Sequence, residues 1–222
     1  MEDWDRAIQQ LKVVAEMDPA SIAMARTYTA AIACERLRTS VLQGRRSPLI
    51  FGAPEPWMAL LVQSAAALAA GQAQQADTLR AQAFADAPPT AGKLDGVEFE
   101  WIADADSRLG PMLEVFLNGS YFWVPFKRIA AVKFEPPVDL RDLVWMPAQF
   151  TWSNGGEAVG FVPSRYAGSH AGNDPALRLS RRTEWSEIGA DAFAGSGQRV
   201  LTTSAEEKPL LETRELLLQA AA

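Results

Sequence analysis

The stretch PPTAGKLDG, Pro88 to Gly96, separates two hydrophobic rhythms. Before it apolar residues recur every three or four positions, and after it they alternate, so the chain builds helices first and strands second. Its paired prolines and its glycines make it a linker in its own right. The fold class expected is therefore two-part, α then α+β: a helical domain over residues 1–90, then a compact β-rich domain with short helices over residues 95–222.

The helical half carries an internal repeat. Trp4, Ala7, Leu11 and Val14 form one face of a helix that Asp3 caps and Pro19 stops. A second helix is expected from about Pro19 to Val41, with Ile22, Ala25, Thr29, Ile32 and Ala33 as its apolar stripe. After the loop LQGRRSPLIFGAPEP, a third starts at Pro56 with Trp57, Leu61 and Leu68 on one face, and a fourth starts near Ala73. Ala7, Val14 and Pro19 recur as Ala76, Ala83 and Pro88 with identical spacings of seven and five. That is the pattern of small residues and proline in the second helix of a tetratricopeptide repeat, which makes this an antiparallel, tetratricopeptide-like half. On that alignment the first helix lacks its partner. Either preceding sequence is absent, since a solenoid end needs a cap, or Trp4 and Leu11 face another protein.

In the second half MLEVFLNGSYFWVPF is the clearest element, because Asn118-Gly119 between aromatic and β-branched runs is a two-residue hairpin turn. Ile129–Phe134, Gln149–Trp152 and Ala158–Val162 read as further strands, with Asp139–Val144 as one helical turn. After Pro163 a loop is followed by LRLSRRTEW, which fits strand or helix, and by the strands of QRVLTTS and PLLETREL.

Charge and composition exclude several functions. The formal net charge is -6, with a balanced first half and an acidic second half, against the positive surface a nucleic-acid partner requires. A single cysteine, Cys34, precludes an internal disulfide and fits a reducing cytoplasm. With one histidine, His170, thiolate–imidazole zinc sites are also excluded, and no apolar run reaches the roughly 20 residues of a membrane span. His170 lies in a Gly/Ser-rich loop and is expected to be exposed and solvated; Cys34 is expected in the core.

The densest polar chemistry lies in WIADADSRLGP, Trp101 to Pro111, and in DLRDLVWMPAQFTWSNGGE, Asp139 to Glu157. Asp104 and Asp106 have the spacing of a cation or acid–base pair, yet Arg108 and Gly110 beside them fit a turn whose carboxylates bind local backbone and arginine. Arg141, Asp142 and Glu157 can be read as a substrate cation and general base, or as ion pairs that order loops. Trp101, Trp123, Trp145, Trp152 and Trp185 can line a groove or fill a small β core.

Taken in order, WIADADSRLGP, YFWVPFKRI, DLRDLVWMPAQFTWSNGGE, VPSRYAGS, RRTEW and GQRVL resemble the ImpE family, also called TagJ, over residues 3–218. The positions that carry the likeness are Trp101, Asp104, Asp106, Arg108, Gly110, Pro111, Trp123, Pro125, Asp139, Arg141, Asp142, Trp145, Pro147, Gly155, Gly156, Glu157, Arg165, Tyr166 and Trp185. The resemblance implies a cytoplasmic, non-enzymatic accessory protein of bacterial type VI secretion, with no cofactor, no metal, no nucleic acid and no membrane partner. It implies binding to the small sheath subunit (TssB, or VipA), and an association with the ClpV ATPase that disassembles the contracted sheath. A stacked-helix half suits a helix laid in a groove, which makes the N-terminal helix of that subunit the expected ligand, and Arg26, Arg36, Arg45, Arg46 and Trp57 its expected surface contacts. The alternative is an enzyme or small-ligand site built from Asp104, Asp106, Arg108, Arg141, Asp142 and Glu157, which would have to converge on one pocket.

Overall fold

A computed structural model describes residues 3–219. It opens with α1 (Trp4–Met17) and α2 (Ile22–Leu42), continues through a two-residue strand β1 (Leu49–Ile50), and returns to helix in α3 (Pro56–Ala69) and α4 (Ala73–Asp86). Asp3 caps α1 by accepting the Arg6 amide at 2.9 Å. Asp18 accepts the Ala20 amide at 3.0 Å and turns the chain at Pro19. Gly71, at φ 76°, makes the left-handed turn between α3 and α4 that a residue with a Cβ rarely adopts.

The strands are β2 (Gly92–Leu94), β3 (Val97–Phe99), β4 (Ile102–Asp104), β5 (Met112–Leu117), β6 (Ser120–Pro125), β7 (Ile129–Phe134), β8 (Trp145–Trp152) and β9 (Glu157–Pro163). A short helix α5 (Pro175–Arg178) precedes β10 (Thr183–Gly189), β11 (Ala192–Gly197), β12 (Val200–Thr203), β13 (Glu207–Pro209) and β14 (Glu215–Leu218). Nine strands form the main sheet in the order β1-β6-β5-β9-β8-β7-β14-β2-β3; β10-β11 is a separate hairpin, and β13-β12-β4 a small third sheet. Asn118 and Gly119 take φ values of 50° and 75°, the left-handed pair a tight hairpin requires. The segment expected to be one helical turn, Asp139–Val144, is a run of turns.

The main sheet is covered on both faces, as the uninterrupted burial of β5 records. Strand alternation sends Leu113, Val115 and Leu117 into a cluster with Phe126, Phe150 and Leu216, and sends Met112 and Phe116 the other way. On that second face they meet Ile32, Cys34, Trp57, Met58 and Leu61 from the helices. The helical and β-rich halves on either side of Pro88–Gly96 thus share one buried cluster. β1 adds a second tie by pairing in parallel with β6, Leu49 opposite Phe122.

Two sequence expectations for the helices need correction. The inward face of α2 is Ala25, Ala31, Ile32, Cys34, Glu35, Arg38 and Val41; of the expected stripe, Ala25 and Ile32 are buried, whereas Ile22, Thr29 and Ala33 are exposed. Charged Glu35 and Arg38 occupy the buried face because they have partners there, so the inward face is rotated from the expected one and only partly apolar. Trp57, expected at the surface, is 4% exposed; its indole N–H donates to Glu55 at 3.1 Å while its rings fill the core.

Candidate functional site

Behind the helices lies a buried ionic junction. α2 presents Glu35 and Arg38 one turn apart, β5 contributes Glu114 between its apolar neighbours, β4 ends in Asp104, and Arg199 sits just before β12. Arg38 forks onto Glu114 at 2.9 and 2.7 Å, and Arg199 bridges Glu114 and Asp104. Tyr121 donates its hydroxyl to Glu114 and accepts the Trp123 indole N–H at 2.6 Å. Tyr166 donates to Asp104 at 3.0 Å and accepts the Val200 amide at 3.1 Å. Burying charge is tolerable only where every lone pair and proton is used. Among the described residues, no buried side-chain nitrogen or oxygen lacks a hydrogen-bond partner.

The electrostatics follow from this geometry. Burial pushes the Glu114 carboxyl up, but the Arg38 and Arg199 guanidinium groups outweigh it and hold the group well below the usual carboxylate range. Asp104, with one direct arginine, is pushed up to about 6 by burial against the pull of Arg199. Burial raises the Tyr121 and Tyr166 phenols, which stay protonated donors.

The Asp-x-Asp turn belongs to this junction. Asp104 accepts the Asp106 amide at 2.9 Å; Asp106 accepts the Arg108 amide and Nε at 2.9 and 2.8 Å and the Gly195 amide at 3.0 Å. Gly110 lies against Phe84, where a Cβ would come within 2.4 Å of the ring. Asp142, also buried, accepts the Val138 and Asp139 amides at 3.0 Å each. These oxygens are spent on the protein itself, and among the described residues no group of three or more His, Cys, Asp or Glu could hold a metal ion. The six residues of the alternative site do not converge: Asp104, Arg141 and Glu157 border three different cavities.

Other sequence-marked residues have mixed placements. Trp123, Pro125 and Trp145 are buried, Pro111 and Pro147 are half-buried, and Glu157 is exposed. Gly155, at φ 82°, and Gly156 make the turn into β9. Trp101 is 41% exposed, and Trp185, 39% exposed, leans on Tyr166 with ring centroids 5.6 Å apart. Arg36 pairs with Asp5 at 2.7 Å on the surface. Arg26 borders a cavity beside Asn118, and Arg45 and Arg46 border another beside Trp123. His170 is half-buried rather than exposed, its pKa lowered by burial and by Arg165.

On the outer side of the same helices an open groove of about 700 Å³ runs between α1 and the sheet. Leu11 and Val14 of α1, Tyr28 and Ile32 of α2, and Val144 and Trp145 give it an apolar lining, while Arg141, Arg165 and Arg178 stand among the lining residues. Trp4 stacks on Trp145 at 5.7 Å, and the Arg141 guanidinium lies 4.7 Å over the Tyr28 ring. Two bonds tie this groove to the junction. The Trp145 indole donates to Glu35 at 3.0 Å, and Arg38 donates to the Arg165 carbonyl at 3.0 Å. Sequence reading missed Glu35, Arg38, Glu114 and Arg199 entirely.

The arrangement is that of a helical layer docked on a large mixed sheet, and the same fold occurs in the crystal structure of protein VPA1032 from Vibrio parahaemolyticus. That structure superposes with a TM-score of 0.87 at 23% identity, covering 98% of this chain and 81% of its own. In sequence, the chain is 46% identical over 216 residues to the type VI secretion system accessory component TagJ of Pseudomonas aeruginosa, across 97% of this chain and 75% of that protein. The ImpE protein family model matches residues 96–217. The chain belongs to the ImpE family. Among the described residues, no helix is long and apolar enough to cross a membrane.

Proposed function

We propose that this chain is an accessory protein of type VI secretion that acts in the cytoplasm as a non-enzymatic adaptor. Its helical half holds the N-terminal helix of the small sheath subunit and links that subunit to the ClpV-type disassembly ATPase. The observation that carries the reading is the 46% identity, along 97% of the chain, to a protein named as an accessory component of that apparatus. The geometry agrees with it. The buried carboxylates are committed to internal arginines and amides, which leaves apolar surface rather than reactive groups as what the protein offers a partner. The helix pairs α1–α2 and α3–α4, with the small-residue spacing shared by α1 and α4, support a tetratricopeptide-like description of that half.

Arg26, Arg45 and Arg46 remain at the surface of the helical half as secondary contacts, whereas Trp57 is spent on the core. Calorimetric titration with the purified small sheath subunit should give saturable binding. An absence of heat at high micromolar concentration would remove the adaptor reading. Capture of the ATPase only when the sheath subunit is also present is the expected result for the linking role.

A further inference from the structure

We infer that two copies of this chain join edge to edge through β10, antiparallel, about a twofold axis at Trp185. The pairing is independent of what the helical half binds. Within the β10–β11 hairpin Thr183 lies opposite Gly197, Trp185 opposite Gly195 and Glu187 opposite Phe193. On β11 these residues turn their backbone groups away from β10, and each finds a partner there. The Phe193 amide donates to the Ser107 hydroxyl at 3.0 Å, and its carbonyl accepts the Ser107 amide at 2.9 Å. The Gly195 amide donates to Asp106 at 3.0 Å. Gly197 donates to the Ser169 hydroxyl at 2.8 Å and accepts the Tyr166 amide at 2.9 Å. Opposed residues in an antiparallel ladder point their backbone groups either both inward or both outward. Thr183, Trp185 and Glu187 therefore aim theirs away from β11, and among the described residues no hydrogen bond reaches those groups. One edge of the hairpin is closed and the other is open.

The remaining sheet edges are short. β1 has two residues, and β3, β4 and β13 have three each, a length by which sheets escape edge-to-edge pairing. β10 has seven, with no lysine or proline among them, and its residues 184–187 are all exposed. Its bulge, between Glu187 and Gly189, comes after the open groups.

The order of side chains along β10 selects a second copy as the occupant. An axis at Trp185 sets Thr183 against the second copy's Glu187 and Trp185 against its own counterpart, so every outward group is used, each pair exchanging two hydrogen bonds. Between those pairs Glu184 faces the second copy's Ser186. Each carboxylate thus meets a hydroxyl, and Glu184 is already paired with Arg182 at 2.6 Å. An axis at Glu184 would instead oppose two carboxylates, and one at Ser186 would leave Thr183 facing the bulge. Arg181, just before the strand, and Glu187 are exposed and in no ion pair among the described residues; this register brings each to the same end of the ladder as the other from the second copy. A foreign strand has backbone groups to offer, but not this self-complementary order, which is the property of a twofold contact.

The face that carries Trp185 adds apolar surface. The indole is 39% exposed, and Phe193, diagonal to it across the hairpin, is 44% exposed. Gly195, opposite Trp185, leaves room for the Tyr166 ring that a Cβ would strike. Tyr166 is itself anchored on Asp104, so the indole leaning on it is positioned before any second copy arrives. Cross-strand aromatic pairs stabilise a ladder, and here the pair is Trp185 with its counterpart.

Sedimentation of the full chain tests the pairing. A dissociation constant in the micromolar range is expected of so small a contact, and the mass of a single chain at every concentration up to about 0.5 mM would overturn it. Glu187→Pro removes an outward amide at a place where an edge strand tolerates proline, and should raise the dissociation constant at least about tenfold with the melting temperature unchanged. Glu187→Ala keeps that amide and should change the constant by less than about threefold. A dimer indifferent to Glu187→Pro is held elsewhere and overturns the inference. If Glu187→Pro does not fold, cysteine pairing decides. Hydrogen-bonded opposite residues have Cα atoms about 5.5 Å apart, within disulfide reach, and the native Cys34 is buried. Trp185→Cys should therefore link two copies under mild oxidation, whereas Ser186→Cys, which faces Glu184, should not. Equal linkage of both variants, or of neither, would overturn the inference.

Discussion

α1 and α4 carry the same spacing of small residues, yet they are packed in opposite ways. Ala76 and Ala83 of α4 are completely buried, with the Ser64 hydroxyl of α3 reaching the Ala76 carbonyl at 2.7 Å. In α1 the matching Ala7 is only half-buried and Val14 is 39% exposed. A pattern of small residues thus states that a helix can be approached closely; it does not state that the approaching partner lies in the same chain. The closed helix belongs to the scaffold, and the open one forms a wall of the groove.

This contrast can be broken at several levels. The largest effect is expected from isolating residues 1–90, whose core side chains Trp57, Met58 and Leu61 would lose Met112, Phe116, Tyr121 and Trp123. We expect that fragment to lack cooperative unfolding in circular dichroism melts, and a sharp transition would instead establish the helical half as an independent domain. Next comes Arg199→Ala, which strands the buried Asp104 and Glu114 carboxylates and should cost about 3–5 kcal/mol in denaturant unfolding. A loss below about 1 kcal/mol would mean that the junction relaxes or hydrates freely.

A matched pair of substitutions sharpens the comparison directly. Ala83→Leu overfills a closed site and should cost about 1–3 kcal/mol, whereas Val14→Leu in the open site should stay within about 0.5 kcal/mol. Equal costs would show that α1 is as tightly packed as α4. The smallest effect is in the pH profile. Glu114, whose pKa is depressed on folding, contributes stability that is present above its unfolded value and is lost as pH falls through the acid range. Asp104, raised to about 6, binds its proton earlier in the folded chain than in the unfolded one, so its contribution grows as pH falls from 6 toward 4. His170, whose pKa is lowered in the folded chain, works in the opposite direction over the same interval, so the Asp104 contribution is read by difference: the melting temperature of the unsubstituted chain should gain on that of Asp104→Asn as pH falls from 7 to 5. A difference between the two that stays constant from pH 7 to 5 would contradict this assignment.

Local signals in the sequence located much of the framework. Asn118-Gly119 marked the β5–β6 hairpin, Pro56 the start of α3, and the alternating runs β7, β8 and β9. The ionic junction left no such trace. Glu35 and Arg38 look like ordinary charges on a helix, and their partners lie at residues 114, 145 and 165. Periodicity assigns charges to solvent, and only the fold shows where a distant opposite charge makes burial tolerable. Part of the Asp-x-Asp turn was legible because its Arg108 partner is two residues away, whereas its link to Arg199 was not. The groove was half legible: Trp4, Leu11 and Val14 read as an apolar face without a partner, but Arg141, Arg165 and Arg178 come together only in three dimensions.

The position of β14 has a consequence for how the protein is made. This strand lies between β7 and β2, pairing Leu216 with Val132 on one side and with Leu94 on the other. Until it leaves the ribosome the main sheet exists as two unjoined pieces, with the β2–β3 hairpin waiting on a strand more than a hundred residues downstream. Apolar side chains that β14 covers, Leu94 and Val132 among them, lack that cover until the last residues are made, an interval in which an incomplete sheet is prone to aggregate.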